Sequence, residues 1–363
     1  MSKRRHYTGL RTLIFITLTI NIRGQYAHME ISTVPAQYVN CVLRSAQRRG
    51  CERDQVLNDV DISPELLQQE RARIPATSYI RLTEYLMLKL DDENCGLMQQ
   101  RTKPGTFAMM CHAAINCSTL GQFWQRCADF HTLVNDCVTL AVTRDGAHAT
   151  YTITPQPGMV DDDQYIIKVL LGIAHRLASW AIGQPLILEG VSIARERPSY
   201  ANEYNFLFMA PVQFDQDSNR LHFSANYLDM PVVRNDQDLE QFLGQPSDQL
   251  MSSPDASRSL VTRLRAMIKD EVSGQFPEFE NVAETLHLTT ATLRRRLRAE
   301  GSSYQQIKDD IRRDTAIYHL SRGTLSMEQV AESVGFSEPA SFFRAFKRWT
   351  GVTPRAYIKH RNA

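Results

Sequence analysis

The sequence predicts two domains of different class, an α+β domain followed by an all-α domain. Apolar residues recur at spacings of three and four over residues 34–130 and then alternate in short runs between residues 138 and 224. A polar stretch over residues 233–258 loses this periodicity. Beyond it the helical spacing returns, and the sequence there contains an internal near-repeat. These observations favour a mixed domain, a linker and a helical domain, in that order.

The first 28 residues are expected to form an extension, either disordered or upstream of a true translation start at Met29. Basic residues at positions 3–5 precede the apolar run 13–20, a pattern that imitates a signal peptide. The run is far shorter than the ~20 residues that a membrane-spanning helix needs. We therefore expect no export and no membrane association, and a cytoplasmic protein.

Residues 29–232 are predicted as the α+β domain. Helices dominate as far as Phe130. The alternation that begins at Val138, the turn Asp145-Gly146 and the extended pattern over residues 150–153 together predict a β-hairpin. The remaining predicted elements are a helix over 163–182 and short strands around 186–193, 212–214 and 221–224.

The cysteines indicate a reducing environment and no metal site. All seven lie between residues 41 and 137, and no pair has the C-x-x-C spacing of a metal or redox site. We interpret them, including Cys111 in the step Cys111-His112, as buried thiols. The sequence also lacks a glycine-rich phosphate loop, H-E-x-x-H and G-x-S-x-G. We expect no enzymatic activity, no metal and no cofactor.

Charge separates the two domains more clearly than the net value of +1 suggests. Residues 233–258 are predicted as the linker and 259–363 as the second domain. Residues 251–363 carry 18 basic and 13 acidic side chains, a net charge of +5, whereas residues 29–250 carry a net charge of −9. A basic tail beside an acidic body suggests that the tail binds a polyanion.

The second domain contains two copies of one unit. Residues 282–289 align with 330–337 at an offset of 48, and after one inserted residue the offset becomes 49, so that Arg295 matches Arg344. Each copy fits a helix-turn-helix, with a small residue, Ala283 or Ala331, where the two helices approach closely. The hydroxyls of Thr289 and Ser337 are expected to cap the second helices.

The second helix of each unit is a candidate DNA-reading helix. At 100° per residue, a small residue and two cations share its outward face in both copies. Such a helix fits the major groove, where an arginine binds guanine bidentately and flanking cations neutralise phosphates. The candidate DNA-binding residues are Thr290, Ala291, Arg294, Arg295, Arg298, Ala340, Ser341, Arg344, Lys347 and Arg348.

The segment between the units is predicted as one continuous helix, residues 303–320, about 27 Å long. A rigid spacer of this size could hold two reading helices in major grooves about one turn apart on one face of a duplex. Arg312, Ala316 and Leu320 recur every four residues, with Ile317 beside them, which predicts a face packed against both units.

Residues 259–361 resemble the DNA-binding domain of the AraC/XylS family of bacterial transcription regulators. The residues that carry the resemblance are Leu293-x-Arg295-x-Leu297 with Gly301 in the first unit, and Ala331-x-x-x-Gly335-Phe336-Ser337, Phe342-x-Arg344-x-Phe346-Lys347 and Gly351-Val352-Thr353-Pro354-x-x-Tyr357 in the second. The resemblance implies that the first reading helix does most of the base reading, a role that falls on Ala291, Arg294 and Arg295, with Ala340 and Arg344 in the second helix. Two departures stand out: His287 lies where the motif often has glycine, which predicts a less tight first turn, and neither Ala291 nor Ala340 offers a side-chain hydrogen bond.

Residues 35–230 resemble more weakly the arabinose-binding-like regulatory domain of such regulators. The motifs are Pro211-Val212-x-Phe214, Asn219-x-Leu221-x-Phe223 and Tyr227-Leu228-Asp229-x-Pro231. The resemblance implies a dimeric, sequence-specific transcription regulator that binds double-stranded DNA under control of a small-molecule effector, with RNA polymerase as a further partner. Two alternatives stay open, a ligand-independent architectural DNA-binding protein and a DNA-acting enzyme with an attached binding module. The effector-binding residues are not identified.

Overall fold

A computed structural model describes residues 33–157, 159–160, 165–198, 200–244, 260–269 and 276–359. The described chain forms two compact units that interleave along the sequence. The first unit contains residues 41–53 and 80–244, and the second contains residues 33–40, 54–79, 260–269 and 276–359. The predicted extension and residues 245–258 of the predicted linker lie outside the described residues.

The elements follow the predicted order and include two short strands, Thr33–Pro35 and Arg73–Pro75, that were not predicted. Up to residue 155 they are β1 (Thr33–Pro35), α1 (Ala36–Arg48), α2 (Arg53–Asp59), β2 (Arg73–Pro75), α3 (Ala76–Leu90), α4 (Thr106–Ala114), α5 (Leu120–Val134), β3 (Val138–Asp145) and β4 (His148–Pro155). Up to residue 244 they are α6 (Tyr165–Ala181), β5 (Leu188–Ser192), α7 (Asn202–Phe208), β6 (Val212–Gln213), β7 (Asn219–Ser224) and α8 (Asp236–Gly244). The C-terminal helices are α9 (Leu260–Lys269), α10 (Phe279–Thr285), α11 (Thr290–Ala299), α12 (Tyr304–Arg322), α13 (Met327–Ser333), α14 (Pro339–Thr350) and α15 (Pro354–Lys359). Short 3₁₀ turns lie at Leu66–Gln68 and Ala225–Asp229.

A five-stranded sheet organises the first unit. Its strand order is β3-β4-β7-β5-β6; β5 and β6 run parallel, and the other neighbours run antiparallel. The predicted hairpin is confirmed, because Asp145 pairs with His148 across the turn and Gly146 adopts a φ of 57°. A positive φ is a conformation that glycine adopts without steric cost.

The core of the first unit lies between this sheet and α6. Every residue of α6 except Leu170 is buried, so the helix is covered on all sides rather than amphipathic. Trp124 of α5 packs against two aromatic residues of the sheet, with its ring centroid 5.1 Å from that of Tyr151 and 5.3 Å from that of Phe223. None of the helices in the described ranges combines the length and the apolar character needed to cross a bilayer.

The segment that the sequence predicts as a linker contains a helix. Residues 236–244 form α8, in which Leu239, Phe242 and Leu243 are buried. The ring of Phe242 lies 4.5 Å from that of Trp180, measured between centroids. Three apolar side chains spaced by three and four suffice to dock a short helix, so residues 236–244 pack as part of the first unit.

Candidate nucleic-acid interface

Two helix-turn-helix units lie in the second compact unit. The first consists of α10 and α11, and the second of α13 and α14. In each, the small residue on the first helix, Ala283 or Ala331, is about 2% exposed or less, which permits close helix packing. Leu293 and Leu297 in the first unit are likewise buried, as the helical spacing predicts.

The two turns have the same geometry, and the prediction of a less tight first turn is wrong. His287 adopts a left-handed φ of 53°, and Gly335 adopts 79° at the equivalent position. Leu288 N–H donates to the carbonyl of Ala283 at 2.9 Å, and Phe336 N–H makes the equivalent bond to Ala331 at 2.9 Å. Histidine therefore takes up the conformation that glycine provides without strain, at an energetic cost of about 1–2 kcal/mol.

The helix caps of the two units differ. The hydroxyl of Thr289 accepts a hydrogen bond from Thr292 N–H at 3.2 Å and caps α11 as predicted. The prediction for Ser337 is wrong, because α14 begins one position later, with Glu338 as its N-cap and Pro339 in its first turn. The residue inserted in the second unit shifts the start of the helix. Proline has no N–H to be capped and already has a helical φ.

The structure leaves every candidate DNA-binding side chain accessible to solvent. Thr290 and Ser341 are partly exposed, and the other eight are exposed: Ala291, Arg294, Arg295, Arg298, Ala340, Arg344, Lys347 and Arg348. The second helices thus present the small residues and cations outward, while Phe342 and Phe346 fill the interior of the second unit. An exposed cation on a helix that is otherwise packed on its inner face suits contact with a polyanion.

Few intramolecular partners engage these cations. No described residue forms an ion pair with Arg295, Arg298 or Lys347. Arg344 donates to the hydroxyl of its neighbour Ser341 at 3.1 Å. Arg348 lies 3.5 Å from the carboxylate of Asp309 on α12, so its charge is partly balanced within the unit.

Comparison with known families agrees with this arrangement. Residues 50–232, half of the chain, match the family described as the arabinose-binding domain of AraC transcription regulators, and residues 282–360 match a helix-turn-helix domain family. The chain belongs to the AraC family of transcription regulators. It is therefore a DNA-binding regulator whose N-terminal domain is of the ligand-binding type found in that family.

Relatives of this AraC-family regulator match nearly its whole length. It is 25% identical over 325 residues to the ornithine utilization regulator of Pseudomonas aeruginosa, covering 89% of this chain and 96% of the relative. It is 26% identical over 334 residues to a helix-turn-helix regulator of Mycobacterium tuberculosis, covering 90% and 96%. The crystal structure of the regulator CdpR from Pseudomonas aeruginosa aligns over 84% of this chain and 96% of CdpR, with 21% identity and a TM-score of 0.32.

The central helix of the AraC-family module matches its prediction. It spans 19 residues, Tyr304–Arg322, and Ala316, Ile317 and Leu320 are buried in it. Arg312 donates from Nε to the carbonyl of Val334 at 3.0 Å, at the end of α13. Its guanidinium also lies 5.3 Å from the ring centroid of Phe336. The helix face predicted from the four-residue spacing is therefore largely buried. Arg312 on this face bonds to the second helix-turn-helix unit.

Part of the second compact unit was not predicted as belonging there. Strands β1 and β2 pair antiparallel and form a two-stranded ribbon, which we call the N-terminal ribbon. Thr33 on this ribbon donates from its hydroxyl to the carboxylate of Asp314 on α12 at 2.7 Å. The hydroxyl of Tyr357 on α15 donates to the carbonyl of Arg73 at 2.9 Å. No local sequence pattern predicts these hydrogen bonds, because each joins residues more than 280 positions apart.

A buried network of charges extends this connection. Arg73 donates from Nε to the hydroxyl of Thr33 at 2.8 Å, and Arg313 donates from Nε to Asp314 at 3.2 Å. Asp310, one turn earlier on α12, pairs with Arg313 at 2.8 Å and with Arg265 on α9 at 2.7 Å. Because each of these charges is largely buried, its partners must be present to offset desolvation. The network thus fixes α9 and the ribbon against the central helix.

The cysteines of this AraC-family regulator are free, and six of the seven are buried, with Cys117 partly exposed. Burial raises the pKa of the Cys95 and Cys111 thiols well above the ordinary value and raises that of Cys127 to about 12. Thiols with raised pKa values are poor nucleophiles at neutral pH. No group of three or more metal-ligating side chains occurs within the described part of the chain.

Proposed function

We propose that this AraC-family regulator reads two adjacent major grooves of one operator with helices α11 and α14. Arg295 and Arg344 contact base edges, while Ala291 and Ala340 allow each helix to approach the base pairs closely. Phosphates are neutralised by Arg298, Lys347 and Arg348. Arg294 lies on the flank of the outward face of α11. Thr290 and Ser341 donate hydrogen bonds to the phosphate backbone at the helix starts.

One observation carries this proposal. Cations recur at equivalent positions on the outer faces of two helices with the same turn geometry, and no described residue neutralises Arg295 or Lys347. A solvated helix face would not need to repeat the pattern small residue, cation, cation in two units. Such a repeat is expected of a module that reads two half-sites.

Selection of bound duplexes from a random pool tests the proposal with the full chain. We expect one enriched sequence with two recognised segments about ten base pairs apart, bound ~10³-fold or more tightly than random duplex at fixed salt. Arg295→Ala should relax preference at one position in one segment, and Arg344→Ala in the other, each at a cost of about 1–3 kcal/mol. Arg263→Ala removes another exposed arginine, from α9, and serves as the control.

The competing architectural function predicts a different outcome. An architectural protein would enrich no sequence and would bind selected and random duplexes with similar affinity. An equal loss of affinity for both kinds of duplex in Arg295→Ala would assign this residue to a phosphate contact and contradict base reading by α11.

We further propose a cytoplasmic homodimer that acts with RNA polymerase and not as an enzyme. In the first unit Leu133 is 84% exposed and Met109 is 59% exposed, and both lie on helices. We assign the surface around Leu133 to the contact between two copies of the chain, since burial of an exposed leucine side chain stabilises association by roughly 1.5–3 kcal/mol. Sedimentation equilibrium of the full chain should give twice the mass of one chain, and Leu133→Glu should shift it toward the single chain.

A further inference from the structure

The first unit contains a partly open cavity of about 80 Å³ between α4, α5, α6 and the sheet. On the scale where one water needs roughly 10–15 Å³, it has room for several water-sized groups. Its walls are mainly apolar and aromatic, with Phe107, Trp124, Leu140 and Ile173 among them. A pocket with apolar walls and a few polar groups is the usual form of a small-molecule site.

Most polar groups on the cavity wall already bond to one another. The side-chain amide of Asn94 donates to the hydroxyl of Thr102 at 2.8 Å. That of Asn135 donates to Thr102 at 3.3 Å, while its Oδ1 accepts from Cys137 N–H at 2.8 Å. These groups form a fixed wall, and none of them needs a ligand to satisfy its hydrogen-bonding capacity.

Glu93 is also engaged, and it places an ionisable carboxyl group on the cavity wall. Its carboxylate accepts a hydrogen bond from Phe107 N–H at 3.1 Å, at the start of α4. Burial raises the pKa of this group to about 7, against the opposing effect of the backbone N–H groups of residues 105–107. No lysine or arginine lines the cavity, so a second carboxylate placed there would find no cation.

Two residues that line the cavity each have a buried polar atom without a partner in the described structure. These atoms are Nε1 of Trp124 and Nδ1 of His131. The indole N–H can only donate, and an unpaired buried donor costs free energy that an acceptor would recover. Burial lowers the pKa of His131, so its imidazole is neutral at pH 7 and adds no positive charge.

We infer that this cavity binds a small, uncharged, largely apolar molecule that carries one hydrogen-bond acceptor, with Trp124 as the donor to that acceptor. The inference rests on control of this regulator by a small-molecule effector, which the ligand-binding type of its N-terminal domain supports, and adds the chemical class of the effector and its site. Carboxylates and zwitterionic amino acids are excluded, because a buried carboxylate without a cation is strongly unfavourable. The effector class is thus a ketone, ester or alcohol of aromatic or short aliphatic character.

Calorimetric titration of the full chain with four probes of one size tests the inference. The probes are acetophenone, ethylbenzene, benzylamine and benzoate. We expect acetophenone to bind about fivefold more tightly than ethylbenzene, which is the ratio expected for one hydrogen bond. We expect benzoate to bind at least tenfold more weakly than acetophenone because its carboxylate would find no cation. We expect the same of benzylamine because the carboxyl group of Glu93 is already held by backbone N–H groups. Acetophenone should also raise the Tm in proportion to the logarithm of its concentration once binding saturates.

Two variants locate the site. Trp124→Phe keeps an aromatic ring but removes the donor, so acetophenone and ethylbenzene should bind with equal affinity. Ala174→Met adds volume to a cavity-lining position and should abolish binding of both. The same change at exposed Ala299 on α11 is the matched control and should leave binding intact. If Ala174→Met fails to fold, the Trp124→Phe ratio still decides.

Several outcomes would overturn the inference. These are binding of benzoate or benzylamine as tight as that of acetophenone, no binding of acetophenone, or an unchanged acetophenone preference in Trp124→Phe. Operator binding is measured separately on the same preparation. A chain that binds a specific duplex but not acetophenone refutes the cavity assignment alone, whereas one that binds acetophenone but no specific duplex refutes the proposed DNA reading alone.

Discussion

The hydroxyl of Thr33 donates to the carboxylate of Asp314 at 2.7 Å, and both side chains are buried. Asp314 also accepts from Nε of Arg313 at 3.2 Å, and Thr33 accepts from Nε of Arg73 at 2.8 Å. A chain of donors therefore runs from the N-terminal ribbon to the central helix of the DNA-binding module. The ribbon is part of the structural support of that module.

A double-mutant cycle measures the coupling energy between Thr33 and Asp314. Thr33→Val leaves the buried carboxylate of Asp314 with one donor fewer, and we expect it to lower the free energy of unfolding of the second unit by about 1–3 kcal/mol. Combining it with Asp314→Asn should give a coupling energy of about 1 kcal/mol or more. Scanning calorimetry resolves the effect, with Thr154→Val on an exposed strand position as the control. Additive single effects would show that the two residues do not interact.

Tyr357 tests whether the ribbon supports α15. Its hydroxyl donates to the carbonyl of Arg73, and burial raises the pKa of this phenol above its ordinary value. Tyr357→Phe should lower the stability of the full chain by about 1 kcal/mol, because the carbonyl loses its buried donor. In a fragment of residues 256–363, which lacks the ribbon, the same change should have no effect. A similar loss in both would mean that Tyr357 acts within the helical module alone.

The turn residue His287 predicts a stabilising substitution. Its φ of 53° strains a histidine, whereas Gly335 at 79° has no such cost. His287→Gly should relieve about 1–2 kcal/mol of strain, less about 0.5–1 kcal/mol of added unfolded-state entropy, and so raise the Tm of the second unit. Gly335→Ala should lower it. An unchanged or lower Tm for His287→Gly would show that the histidine side chain makes a compensating contribution.

Two buried groups in the first unit, Glu93 and His175, make the stability of the folded chain depend on pH in opposite directions. Burial raises the pKa of Glu93 from 4.5 to about 7, so between these values the folded chain holds a proton that the unfolded chain lacks, and stability falls as pH rises. Burial lowers the pKa of His175 from 6.5 to about 4, and Arg176 lowers it further while the bond to Leu186 opposes the shift. Between pH 4 and 6.5 the unfolded chain therefore holds the extra proton, and stability rises with pH.

Single substitutions separate these effects. In the native chain the two slopes offset between pH 4.5 and 6.5. Glu93→Gln should leave the histidine effect, so that stability rises with pH by an amount on the order of 3 kcal/mol across this range. His175→Gln should leave the glutamate effect and reverse the slope, while the glutamine amide can still donate to the carbonyl of Leu186. Urea unfolding at a series of pH values measures both, and parallel curves for the two variants would contradict the assignment.

The sequence predicts the repeated module well because its signals are local. Helix periodicity, the offset between the two units and the outward position of Arg295 and Arg344 all follow from spacings of a few residues. The prediction that Ser337 caps α14 is wrong because one inserted residue moves the start of the helix to Pro339. Alignment of the two units does not determine on which side of the inserted residue the helix begins. The N-terminal ribbon was missed because Thr33 and Asp314 meet only through tertiary structure. The cavity was missed for the same reason, since its wall combines residues from separate helices and strands.

Salt dependence distinguishes the roles of Lys347 and Arg348, the two cations near the end of α14. Lys347 has no ion pair with any described residue, whereas Arg348 lies 3.5 Å from Asp309. Lys347→Ala should weaken binding to specific and random duplexes alike and reduce the slope of log K against log salt by about 0.9. Arg348→Ala should reduce it by less, because Asp309 already balances part of the charge in the free protein. Competition binding measured at salt concentrations from roughly 50 to 200 mM gives the slope for each variant. If Lys347→Ala changes base preference and leaves the slope unchanged, Lys347 reads a base instead of a phosphate.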